Sequence, residues 1–216
     1  MACAFPQVIE EGKLYMVEPP LFSFTEKGVK KFVPDNRSYL TYLQKGFAKH
    51  NNLYRNGSKM KNDQIFDFLC RNERYLEYLK NVADNNICSM DFTELIISNL
   101  HNFGFDKSSI KDWNKLVHKQ FSPQLNAEWT DGRIVISGIK DGRYEMIELD
   151  DDLIKSKKTR KLIDIMNNNL NVIYGYGIND ESDKSMSISH VLNAFGKYKG
   201  KDLVRYKGLE TRPNIW

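Results

Sequence analysis

Strand and helix periods alternate along this chain in blocks. Residues 1 to 11 read as the tail of a helix, with Gly12 suited to the left-handed position that ends one. Lys13 to Glu18 (KLYMVE) is rich in strand formers, and Pro19-Pro20 then forbids ladder bonding. Leu21 to Phe24 and Val29 to Val33 flank the turn-prone TEKG, so the opening predicts a strand, a break and a hairpin. From about Ser38 to Phe121 the period becomes helical. Leu40, Leu43 and Phe47 share one face, and Ile65, Phe66, Leu69, Leu76 and Leu79 share another, while the polar NNLYRNGSKMKND (51–63) is expected to be a loop. Asp91 with Glu94 predicts a capping box opening Phe92 to Phe103, and Ser108 or Ser109 is placed to cap a helix carrying Trp113, Leu116 and Val117.

Strands then return, punctuated by Asp-Gly. LNAEWT, Asp131-Gly132, RIVISGI, Asp141-Gly142 and RYEMIEL predict a three-stranded meander. A helix from about Asp151 to Asn167 follows, then the strand VIYGYGI, the polar loop NDESDKSM, a helix from Ile188 to about Lys199 and a closing strand over Asp202 to Tyr206. No repeat or low-complexity tract interrupts this order.

Composition narrows the class without naming a function. The chain has 216 residues, enough for one domain or two small ones, and its net charge of +4 fits nucleic-acid contact without demanding it. Cys3, Cys70 and Cys88 are odd in number and lack CxxC spacing, which favours a reducing, cytoplasmic setting over a disulfide framework. The only N-terminal apolar stretch, MACAFPQVI, is broken by Pro6, so neither a signal nor a membrane partner is expected.

Few clusters suggest chemistry. Asp150, Asp151 and Asp152 follow a strand and precede a helix, where carboxylates either hold a divalent cation or cap free amides. Lys155, Lys157, Lys158, Arg160 and Lys161 either track a phosphate backbone or form the solvated face of an amphipathic helix. His50, His101, His118 and His190 lack metal-ligand spacing, YGYGI lacks the third glycine of a dinucleotide loop, and no GxSxG elbow is present. Self-contained catalysis finds no support.

Two segments carry more. FPQVIEEGKLYMVEPPLF (5–22) and LVRYKGLE (203–210) resemble, in order, two stretches of the TOPRIM domain of DNA gyrase B and topoisomerase IV B subunits, the second being similar to that family's RYKGLGE signature. The resemblance implies an α/β (α+β) fold, an incomplete TOPRIM parallel sheet formed by 1–34 with 201–216. A large inserted α+β domain would interrupt it at 35–200, helical over 35–122, with the meander and further helices over 123–200. It implies a part of an ATP-dependent type II DNA topoisomerase that passes one duplex through another, with Mg2+ and ATP as cofactors of the assembled enzyme. Its partners would be DNA, a complementary B-type fragment bearing the ATPase and acidic TOPRIM motifs, and a gyrase A-type subunit that carries the cleaving tyrosine.

Departures from the family pattern limit what this chain can do alone. The family's magnesium ligands sit in EGDSA-like and DxDxDG motifs that precede the double proline, and neither is present. Asp150 to Asp152 follow Pro19-Pro20, so they do not stand in, and neither a metal ion nor another cofactor is expected on this chain by itself. The second glycine of KGLGE is also missing, because Lys207-Gly208-Leu209 runs directly into Glu210. Arg205, Lys207 and Gly208 are the expected DNA contacts, two cations near a strand end beside a residue that permits close approach; the alternative is ordinary surface charge. The start at Met1, inside the helix after the acidic strand, reads as a split gene or a fragment. A non-catalytic protein that competes for DNA or for an A-type subunit is the other reading.

Overall fold

The computed structural model describes residues 22–26, 29–169, 173–199 and 204–205. The strand expected at KLYMVE, the helix tail before Gly12, Pro19-Pro20, Lys207, Gly208 and Glu210 lie outside them. The described residues fall into two compact units, one within Met1–Gly46 together with Lys199–Trp216, the other Phe47–Tyr198.

In the first unit, β1 (Phe22–Glu26) and β2 (Val29–Val33) form the expected hairpin, with Phe22 opposite Val33 and Glu26 opposite Val29. On its other edge β1 pairs with β10 (Val204–Arg205), giving the order β10-β1-β2. Phe22 lies opposite Arg205 and Ser23 opposite Val204. Both pairings are antiparallel, which corrects the expectation of a parallel sheet for the described strands. The two-residue connection between β1 and β2 closes only an antiparallel pair, since parallel strands need a long crossover. Helix α1 (Asn36–His50) contributes its residues up to Gly46 to this unit. Asp35 starts it by accepting from the Ser38 amide at 2.7 Å, and that bond lowers the carboxyl's pKa. Phe22 stacks on Tyr39 with centroids 4.2 Å apart, and Phe24 meets Tyr42 at 4.4 Å.

The second unit contains the larger core. Helices α2 (Asn62–Arg71), α3 (Tyr75–Asp84), α4 (Met90–Phe103) and α5 (Ile110–Gln120) bury Ile65, Leu69, Tyr75, Leu79, Phe92, Ile96, Trp113 and Val117. On each helix the pair is four residues apart, part of the stripe that hydrophobic burial selects. The predicted meander is present as β5 (Leu125–Thr130), β6 (Arg133–Lys140) and β7 (Arg143–Leu149), with Thr130 opposite Arg133 and Lys140 opposite Arg143 across the two Asp-Gly turns. Its alternate residues Leu125, Ala127, Ile134, Ile136, Ile147 and Leu149 face the core.

Four sequence expectations need correction in this unit. The segment 51–63 is not all loop, because β3 (Leu53–Arg55) and β4 (Ser58–Lys59) form a hairpin around Asn56-Gly57, with φ of 52° and 80°. Strand β3 pairs also with β8 (Tyr174–Ile178), and β8 with β9 (Met186–Ser187), giving the order β4-β3-β8-β9. The helix expected over 151–167 is two, α6 (Asp151–Lys155) and α7 (Lys157–Asn168), broken where Ser156 turns extended and its hydroxyl accepts from the Thr159 amide. Asp91 and Glu94 form no capping box: α4 begins two residues earlier than expected, and Glu145 of β7 accepts from the Ser89 amide at its start. Ser109 holds the N-cap position of α5 but its side chain makes no capping bond there; Asp106 accepts from the Ser108 amide at 2.8 Å and starts the 3-10 turn (Lys107–Ser109) that leads into the helix. Helix α8 (Ile188–Gly196) closes the unit.

Candidate nucleic-acid interface

Arg205 lies on β10 directly opposite Phe22, so the two segments that resemble TOPRIM are neighbours across one strand pair. The structure describes its backbone only, and Lys207 and Gly208 lie outside the described residues. Of the sequence-predicted contacts, the basic run is the part whose side chains are described.

Helix α7 owes its orientation to Thr159, Leu162 and Met166, which are buried at three- and four-residue spacing. The opposite face is left to Lys157, Lys158, Arg160 and Lys161, all exposed. Lys155, on α6, is exposed too but is already engaged by Asp151 at 2.6 Å, an i,i+4 pair at the surface worth little to stability. Lys161 extends over the ring of Tyr78 on α3, its Nζ 5.7 Å from the centroid. The positive charges of Arg74 and Lys161 beside the same phenol lower the Tyr78 pKa. The adjacent Tyr78 phenol in turn raises the pKa of Arg74. Sequence reading missed Arg74, the residue that precedes α3, and Tyr78 within it.

The acidic triplet behaves as a helix start. Asp150 accepts from the Leu153 amide at 2.7 Å and Asp151 is held by Lys155. Among the described residues no group of three His, Cys, Asp or Glu side chains converges as a metal site would require. The histidines serve locally: His50 Nδ1 lies 2.9 Å from the Tyr198 hydroxyl, and His118 Nε2 lies 3.3 Å from Asn126 Oδ1. In YGYGI the glycines permit close approach between strands. A Cβ on Gly175, at φ +96°, would sit 2.2 Å from Asn56 Oδ1, and one on Gly177 would sit 2.3 Å from the Asp183 carbonyl.

One buried constellation has the residue types of catalysis but not the access. Glu94 is fully buried and its carboxyl accepts four hydrogen bonds, from Tyr75 Oη (2.7 Å) and the Ser189 amide (3.1 Å) on Oε1, and from Ser187 Oγ and Ser189 Oγ (2.6 Å each) on Oε2. His190 Nδ1 lies 2.8 Å from Ser187 Oγ. Burial pushes the Tyr75 phenol well above its ordinary range, and the adjacent Glu94 adds to it, so Tyr75 remains a donor. Ser187 has no exposed surface and gives its proton to Glu94, which leaves no nucleophile for a substrate to meet. The group instead pins the start of α8 to α3 and α4, with a carboxyl at the helix N-terminus.

No family model matches the chain, and no curated protein matches it. The paired strands β1 and β10, and the cations of α7 with their neighbours, are the features that bear on function. A separate cavity of about 420 Å³, lined by Ile97, Leu100, Ile163, Met166 and Tyr174 among others, contains none of the predicted site residues.

Proposed function

We propose that this chain is part of an ATP-dependent type II DNA topoisomerase of the gyrase B kind, completing its TOPRIM cleavage core and contacting DNA, and that it is inactive alone. The observation that carries the reading is the β1–β10 pairing. The EPPLF-like segment ends in Phe22 and the RYKGLE segment contains Arg205, and these residues stand opposite each other although most of the chain separates them. Two motifs that matched by chance would have no reason to share a strand pair.

In this reading Arg205 and Lys207 hold a DNA phosphate, with Gly208 giving the backbone room, and the exposed cations of α7 add contacts that steer duplex by charge. The complementary B-type fragment supplies the ATPase and the carboxylates that bind Mg2+, and an A-type subunit supplies the tyrosine. A relaxation assay tests this: the complementary fragment and A-type subunit are mixed with supercoiled plasmid, ATP and Mg2+, with and without this chain. Relaxation that appears only on addition supports the proposal. Inhibition of an already active mixture would instead identify a competitor, and no effect at any ratio would end the topoisomerase reading.

A further inference from the structure

The cations around α7 belong to a longer feature than the helix face. Three adjoining cavities run along its carboxyl-terminal half. One of about 390 Å³ is lined by Arg71, Arg74, Tyr78 and Lys161, with Glu73 and Asp164. A second, of about 270 Å³, is bounded by Arg71, Ile165, Asn168 and Asn169. A third, of about 340 Å³, adds Arg55, Lys59 and Gln64. Arg71 lines all three, and the groove they form together is centred on it.

Its floor is fixed by hydrogen bonds. Asn72 at the end of α2 is fully buried, and its amide pairs with that of Asn169 at the end of α7, at 2.9 Å in one direction and 3.4 Å in the other. Arg55 of β3 donates to the Asn169 carbonyl at 3.1 Å, and Arg71 Nε donates to the Asp67 carbonyl at 3.3 Å. Three elements are thus tied together beneath the cations, so the backbone that carries them needs no ordering when an anion binds. Above the floor, Lys59, Arg71, Arg74 and Lys161 are all exposed. Cations outnumber carboxylates along the walls, and Asn168, Gln64 and the Tyr78 hydroxyl are interspersed. Arginine, lysine, amide and phenol groups are the set that contacts nucleic-acid phosphates, whereas a protein partner would be anchored by a central apolar or aromatic pocket.

We propose that this groove is a phosphate-backbone site for duplex DNA, separate from the Arg205 strand end. It rests on the DNA-contacting function proposed for the chain. Charge supplies the affinity, so its mark is salt dependence, with a slope near 0.9 per neutralised phosphate.

The test is fluorescence anisotropy of a labelled duplex of roughly 30 bp with the full chain, titrated between about 50 and 200 mM salt. The groove variant is R71Q/R74Q/K161Q. The charge-matched control is K111Q/K115Q/K119Q on α5, whose lysines are exposed and line none of these cavities. The pair R74Q/K161Q spares the Arg71–Asp67 bond and guards against a folding defect. Losing three cations lowers the slope by about 2.7, so the groove variant's affinity deficit shrinks roughly 40-fold across that salt range. The control keeps the wild-type slope. Equal loss in both triple variants, unchanged binding by the groove variant, or loss of polyglutamate binding with duplex binding intact would each overturn the groove. Groove-independent duplex binding alongside plasmid relaxation removes only this inference; groove-dependent binding without relaxation removes only the topoisomerase reading.

Discussion

Glu94 offers the most direct check of how the Phe47–Tyr198 unit is held together, because two substitutions there separate the carboxyl's acceptors from its volume. In Glu94→Ala, four donors lose their acceptor. Two of them recover: the Ser187 and Ser189 hydroxyls lie 2.9 Å apart, and Ser187 lies 2.8 Å from His190 Nδ1, so rotated protons find new partners. The Tyr75 hydroxyl and the Ser189 amide do not. Each buried donor left unpaired costs about 1–3 kcal/mol, and the vacated methylenes add a cavity cost, for a total of roughly 3–6 kcal/mol. In Glu94→Gln one oxygen remains for Tyr75 and Ser189 N, while the new NH2 donates to the two serine oxygens as their protons turn away. That variant loses only the charge assistance, about 1–2 kcal/mol. Equilibrium urea unfolding, followed by tryptophan fluorescence, reads both, since Trp113 is fully buried in the same core. An alanine cost below about 1 kcal/mol, or a glutamine cost equal to the alanine one, would show that the network does not bear on stability.

Three further substitutions have definite expected outcomes. Lys140 Nζ lies 2.6 Å from Asp91. Burial acts to raise the Asp91 pKa, but the Lys140 hydrogen bond and charge outweigh it and leave the carboxyl below its usual 3.8. A lowered folded value contributes stability above 3.8 that is lost as pH falls through it, so Lys140→Met should move the acid unfolding midpoint upward; superimposable acid limbs by circular dichroism would contradict this. Burial likewise acts to lower the Lys140 pKa, yet Asp91 leaves it raised above 10.5, so the pair's contribution fades only when pH rises past that value. Gly175→Ala places a methyl 2.2 Å from Asn56 Oδ1 at φ +96° and should cost about 2–4 kcal/mol by thermal unfolding. Gly196→Ala meets no atom within 4 Å at the end of α8 and should gain up to about 1 kcal/mol; a reversal of this order would mean that the β3–β8 approach is not as close as described.

The sequence was most readable where local chemistry decides the backbone. Asp131-Gly132 and Asp141-Gly142 impose hairpin turns on alternating strands, and the helix stripes of Ile65, Leu69 and Leu79 are set by burial alone. It failed where the partner is distant. Strand β3 has three residues and exists because β8, more than a hundred residues later, takes up its hydrogen bonds, so the polar 51–63 gave no strand period to read. Glu94 looked like a helix-start residue three positions after Asp91, and only the return of Ser187 and Ser189 to the same place makes it a core acceptor. Of the candidate site, the exposed lysines of α7 were legible from their alternation with Leu162 and Ile163. Arg55, Arg71 and Arg74 were not, because their grouping depends on three elements meeting.

The entrance and exit of the Phe47–Tyr198 unit have a bearing on the order of assembly. Phe47 and Tyr198 meet edge to face, their centroids 5.7 Å apart, and His50 bonds the Tyr198 hydroxyl. A chain that had to bring β10 to β1 before that unit formed would close a loop of roughly 180 residues. With the unit already folded and its ends in contact, the free chain to be closed falls to roughly 30 residues, which lowers the entropic cost by about 1.6 kcal/mol. Closure within that unit thus shortens the chain that the β1–β10 pair must span, and replacing 48–197 by a short flexible linker should leave that strand pair able to form.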